Sequence, residues 1–372
     1  MENLEKNNQT TEKKSVKRGK KLIFKIILIA LIVCICALVY TMAGCRKNVA
    51  DDIYSFAGDS NYQISEYNGK ILTVSYDGIK LLDFNGKQVG EAENHMSSPH
   101  YKVDGSLILM YDKGDKKLAV YDGITKKYTY ESEYPIKTAK INKKGYVVLI
   151  SDEVAYNAKV TVLDDKGEVA YIWKIGNEYI VDADISPDNK KIVAATITTE
   201  TGVIEENVVF VDIKAAEEIG RVKNVGDMPL SVEFVESGSA LVVSDSKLCA
   251  YDAKAKKKWT KSFENNILQS FEIDESGNTV VALKGIKNNT VVITYTKNGS
   301  KAGEYTTQTK ATCVDVNGKN IAVCEKSTVS VINYSGKVLS SSEIKKEVLD
   351  ISVVGDNKVL LLCEDRIQFL KL

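Results

Sequence analysis

KVLLLCEDRIQFLKL, residues 358–372, holds two apolar strand-like runs, Val359–Cys363 and Arg366–Leu372, around a short acidic turn. The second run has no partner further along the chain, and an unpaired apolar strand is an aggregation hazard. Upstream, Leu349–Val354 supplies a third strand of the same unit. The fourth must come from elsewhere. DDIYSFA, residues 51–57, belongs to no neighbouring unit and is the candidate, so the two ends of the region are expected to share one sheet and close a ring.

The rest of residues 51–372 repeats that unit. YQISEYNGKILTVSYDGIKLLDFNGKQVGEAE (62–93), HYKVDGSLILMYDKGDKKLAVYDGITKKYTYESE (100–133) and SVEFVESGSALVVSDSKLCAYDAKAKKKWTKSF (231–263) each read as four short strands separated by Gly, Asn and Asp turns. Units begin near Tyr62, Pro99, Lys137, Val181, Ser231, Leu268, Ala311 and Leu349, at spacings of 37 to 50 residues. Four strands per unit of that length is the arithmetic of a β-propeller blade. The expected fold is therefore all-β: eight four-stranded blades, the last completed by the N-terminal strand. The third strand of most units ends in Asp or Asn (Asp83, Asp122, Asp164, Asp212, Asp252, Asn333), which start turns by bonding the backbone ahead of them. Gly86, Gly123, Gly167 and Gly336 follow where positive φ is needed.

VDADISPDNKKIVAA (181–195) is similar to the SPDGKKIAF-type hairpin of TolB-like and WD-repeat propellers, with Asn189 in place of the usual Gly. Residues 50–372 also resemble the quinoprotein-type propellers of bacterial envelopes. With the segment that precedes them, they resemble an uncharacterised family of membrane-anchored bacterial propellers. That resemblance implies a fold and carries over no activity.

The preceding segment sets the expected location. Residues 1–21 carry seven Lys/Arg against three Glu and read as a cytoplasmic tail. From Ile26 to Gly44 there are nineteen residues without a charge, about the length a helix needs to cross a bilayer. Residues 22–44 are thus expected to be an uncleaved anchor or, because TMAGC resembles a lipobox, a signal leading to lipidation at Cys45. Residues 45–50 would form a tether. Either route puts residues 51–372 on the outer face of a cell membrane. Beyond residue 44 there are 42 basic and 47 acidic residues, so a basic nucleic-acid surface is not expected.

Motifs for chemistry are sparse. The sequence has two histidines, His95 and His100, and no GxSxG, HExxH, P-loop or CxxC. No cofactor and no metal site are expected; DADISPDN lacks the Gly and closing Glu of an EF-hand loop. Insertions cluster between the second and third strands of units: 151–159, 196–207 and 284–290. Loops of this kind on a rigid scaffold are where binding is usually built. Asp152, Glu153, Tyr156, Glu200, Glu205 and Glu206 are the candidate ligand-binding residues. Acids also recur at second-strand ends (Asp77, Asp112, Asp152, Asp245, Glu325, Glu364), where they could ring one face or simply start turns. Cys313 and Cys324 should oppose one another across the Gly318-Lys319 turn, as a disulfide or as buried thiols. The expected function is a non-catalytic binding or scaffold module for an envelope protein or glycan. The alternative is a carboxylate-based hydrolase or lyase acting on an envelope polysaccharide.

Overall fold

The computed structural model describes residues 50–372 apart from 57–61, 201, 224, 226, 237, 265, 327, 356, 357 and 372. The expected cytoplasmic tail, the membrane span 22–44 and Cys45 lie outside the described residues. The described chain forms eight separate four-stranded antiparallel sheets. Seven are built from consecutive strands, the first being Gln63–Tyr67, Lys70–Ser75, Gly78–Leu82 and Gln88–Glu93. In the eighth, Asp350–Val353, Lys358–Leu362 and Arg366–Lys371 are followed outward by Asp51–Ser55. Tyr54 pairs with Ile367 and Ser55 with Arg366, with a bulge between Asp52 and Tyr54. The Asp52 carboxylate accepts hydrogen bonds from Gln368 and Arg366.

The strand patterns follow from position in a blade. Middle strands are covered on both faces by neighbouring blades, so Leu107–Asp112 and Ala158–Leu163 are buried at every residue. Fourth strands form the rim and alternate, as in Lys257–Ser262 and Gln88–Glu93. The core is accordingly one apolar layer between each pair of blades. Ile64, Ile71 and Leu82 of blade 1 pack on Leu360, Ile367 and Phe369 of blade 8, so the layer between last and first blade resembles the other seven.

Local turn chemistry recurs as expected. Oδ1 of Asp83 accepts from the N–H groups of Asn85 and Lys87, and Asp164, Asp252 and Asn333 repeat the geometry. Asn189 takes φ +64°. One boundary differs. Glu205 and Glu206 were expected in a loop, but the third strand of blade 4, Glu205–Asp212, begins with them, because Thr198 and Ile197 extend the ladder opposite.

Candidate functional site

First–second turns lie on one face of the ring; second–third loops and blade-to-blade links lie on the other. The loops at 152–157, 202–204 and 285–289, together with the blade-to-blade links, make this second face the longer-looped one. It is also the more apolar. Among the described residues, seven of sixteen exposed large apolar side chains lie on its loops and links, including Val154, Tyr156, Val203, Ile204 and Ile286, and Tyr179, Leu230 and Ile267 lie at the strand ends that enter it. Singly exposed apolar residues are ordinary; contiguous apolar patches are what mark interaction surfaces.

The candidate residues from the sequence reach this face in different states. Asp152 pairs with Lys137 at 2.7 Å and Glu153 with Lys174 at 3.0 Å. Hydrogen bonding to Lys174 holds the Glu153 carboxyl below its ordinary value. The Lys174 ammonium also sits over the Tyr156 ring, 5.4 Å from its centre. Tyr156 lies near Gly176, and Asn177 beside it reaches Glu200 at 3.4 Å, so the loops of blades 3 and 4 form one strip. Glu205 and Glu206 are consecutive strand residues and point to opposite faces of their sheet. No two of these carboxylates converge as a free acid–base pair.

The recurring second-strand acids do not converge either. Asp112 turns inward and accepts from the N–H groups of Ser97 and Ser98, at 2.8 and 2.6 Å. Glu325 does the same for Gln308 and Thr309, at 3.1 and 2.8 Å. Each fastens a link between blades. Among the described residues, no group of three His, Cys, Asp or Glu side chains could hold a metal ion. Cys313 and Cys324 stand opposite one another in register, and both are free thiols.

The axial channel is the feature the sequence reading missed. Its wall is the set of first strands, and one position recurs in all eight: Ser65, Lys102, Lys140 and Asp184 in blades 1–4, then Glu233, Glu272, Asp315 and Ser352 in blades 5–8. Every member is polar. Each is flanked by apolar neighbours on the opposite face, apart from Glu66 beside Ser65. This alternation was readable once strands were aligned on the third-strand Asp, but each segment alone looks like an ordinary half-exposed strand.

Three short members of the ring stitch blades together, whereas the buried Ser65 hydroxyl has no hydrogen-bond partner among the described residues. Asp184 accepts the Phe234 N–H at 2.7 Å, Asp315 the Val353 N–H at 2.6 Å, and Ser352 the Glu66 N–H at 3.1 Å. In each case the donor is one residue beyond the ring member of the next blade, which satisfies an otherwise unpaired inner edge. Long members are too extended for that contact. Lys140 crosses instead to Asp182 of blade 4 at 2.6 Å and to the Val232 carbonyl of blade 5 at 2.8 Å. Burial opposes its charge, but Asp182, Glu233 and Asp184 outweigh it and hold the ammonium above the ordinary lysine value. Burial pushes Asp184 up to about 7 against the pull of Lys140, and Asp315 up to about 6. Glu272 is reached by water yet enclosed by the ring. That loss of bulk solvent and the Asp315 charge raise it to about 7, with Lys102 acting in the opposite direction. The part of the channel lined by blades 2–6, Lys102 to Glu275, has a volume of about 730 Å³. At the short-turn face Lys143 spans its mouth, bonded to Glu236 at 3.0 Å and Glu275 at 2.6 Å.

Closed ring, inter-blade stitching and polar axial channel define an eight-bladed β-propeller. Within that class the chain belongs to a family of unknown function, DUF5711, whose profile matches residues 47–372. No curated protein matched. Among solved structures, the computationally designed Ika8 protein is 12% identical with a TM-score of 0.66, over 88% of this chain and 100% of that one. The C-terminal WD40 domain of Sif2 is 11% identical with a TM-score of 0.65, over 88% and 99%. BamB from Moraxella catarrhalis is 12% identical with a TM-score of 0.53, over 87% and 100%. At these identities the likeness is one of fold.

Proposed function

We propose that this protein is a non-catalytic binding module, held at the outer face of a cell membrane through residues 22–44, which docks an envelope protein on its long-looped face. The observation that carries this reading is the number of exposed apolar side chains on the loops, links and entering strand ends of that face, beside the ion-paired Asp152 and Glu153. Aliphatic residues such as Val154 and Ile204 favour a protein over a glycan, since sugars are gripped mainly by aromatic rings and hydrogen bonds, whereas protein interfaces have apolar centres and polar rims. The mild excess of acid beyond residue 44 favours a partner with a basic rim. A rigid ring suits such a role because presenting preformed loops costs little ordering on binding. The carboxylate-enzyme alternative is weakened by the ion pairs that occupy Asp152 and Glu153.

The test is photo-crosslinking in living cells, with a photoreactive residue at Tyr156, at Ile204, and, on the short-turn face, at Lys319. Discrete protein adducts from the first two positions and none from the third support this reading. Equal adducts from all three, or none from Tyr156 and Ile204, overturn it.

A further inference from the structure

Most charged groups in the axial channel already have protein partners. Lys140 is bound to Asp182 and lies 3.9 Å from Glu233. Asp184 and Asp315 accept backbone N–H groups of the next blade. Asp274 holds Asn278 and the Tyr334 hydroxyl, and Lys143 engages Glu275. Two charged groups of the polar ring remain. Lys102 of blade 2 and Glu272 of blade 6 make no hydrogen bond or ion pair with any described side chain. They hold the same ring position four blades apart in a ring of eight, so they face one another across the axis. The Lys102 charge is felt at Glu272, yet the two do not touch. The space between them belongs to the 730 Å³ part of the channel, which is in the range of small-molecule sites.

A cation and an anion held apart on a rigid wall have two options. They can remain separately hydrated, or a solute with the complementary pair of charges can bridge them. We propose that the channel binds a small zwitterion, an amino acid or short peptide, whose carboxylate meets Lys102 and whose ammonium meets Glu272. A purely anionic solute would meet the surrounding carboxylates, and a purely cationic one would leave Lys102 unpaired, so both charges are needed on one molecule. The ring fixes the distance between the two groups, so affinity should depend on the length of the solute.

The experiment is calorimetric titration of the full-length protein in detergent with a ladder of probes: glycine, 4-aminobutanoate, 6-aminohexanoate, 8-aminooctanoate and triglycine, with hexylamine and hexanoate as single-charge controls. The expected result is binding by one or two adjacent lengths of zwitterion and by neither control. Lys102→Met and Glu272→Gln should each weaken the best probe roughly tenfold or more, as loss of a charge-assisted contact does. The exchanged pair, Lys102→Glu with Glu272→Lys, should recover much of that affinity, because the same solute can bind reversed. A melting curve for each variant separates loss of binding from loss of fold. No binding by any zwitterion, equal binding by a single-charge control, or full affinity in both single variants overturns the proposal. Because the crosslinking positions lie on the outer loops, a negative result here leaves the docking face separately testable.

Discussion

Gly86, in the last turn of blade 1, lies so close to Ile53 that a β-carbon on it would stand 1.7 Å from the Ile53 carbonyl oxygen. Ile53 is in the strand that completes blade 8, so this contact joins the two ends of the ring. Gly86 also has φ +82°. Gly86→Ala should therefore cost about 2 kcal/mol or more, from left-handed strain together with backbone overlap. Gly69→Ala, at φ +73° with open space around it, should cost only the strain, about 1 kcal/mol. Urea unfolding of both variants measures the difference. Equal losses would mean that Asp51–Ser55 does not occupy the rim of blade 8.

Lys140 ties three blades, and its side chain and that of Asp182 are only 11% and 8% exposed. Lys140→Met should cost about 3–5 kcal/mol, mostly because it leaves the Asp182 charge buried beside Ser231 and Val232 without its cation. Adding Asp182→Asn removes that charge while keeping an acceptor for the Val232 N–H, so the double variant should be more stable than Lys140→Met alone. A double-mutant cycle by chemical denaturation checks the sign.

Burial raises the Asp184 carboxyl to about 7 from the ordinary aspartate value of 3.8, so the folded protein binds this proton more tightly than the unfolded chain. Its stabilising effect is complete below about pH 4 and is lost as pH rises through 7. Asp104, Asp315 and Glu272, raised to about 6, 6 and 7, act in the same direction. The melting temperature should rise as pH falls from 8 to 5.5. Asp184→Asn, which keeps an acceptor for the Phe234 N–H, should flatten that slope. A slope unchanged in the variant would remove Asp184 from the explanation.

Ala255 occupies, in blade 5, the turn position that Gly86, Gly167 and Gly336 fill elsewhere, at φ +63°. Its β-carbon faces Gly220 on the rim of blade 4, where a second β-carbon would stand only 2.7 Å away. Ala255→Gly should stabilise the protein by up to about 1 kcal/mol by relieving left-handed strain, offset in part by the added freedom of the unfolded chain. Gly220→Ala should destabilise it. Thermal melts of the two variants should shift in opposite directions.

How the blades are cut was legible in the sequence because turn signals act over a few residues. An Asp bonding the backbone two and four positions ahead, with a left-handed residue at the third, specifies its turn wherever it sits. That is why eight units and their boundaries could be read from spacing, and why Asp51–Ala57 could be assigned as a leftover strand. On the long-looped face, Asp152, Glu153 and Tyr156 lie at or beside the second–third loop of blade 3, where the insertion was legible. The sequence reading could not foresee that Lys137 and Lys174 neutralise both acids, and it placed Glu205 and Glu206 outside the strand that contains them. The channel was decided by tertiary structure alone. Lys102 and Glu272 are 170 residues apart, and no local interaction relates them. They face each other only because the three blades between them on either side bring the same strand position to the same axis, and a ring fixes such a relation only after it has closed.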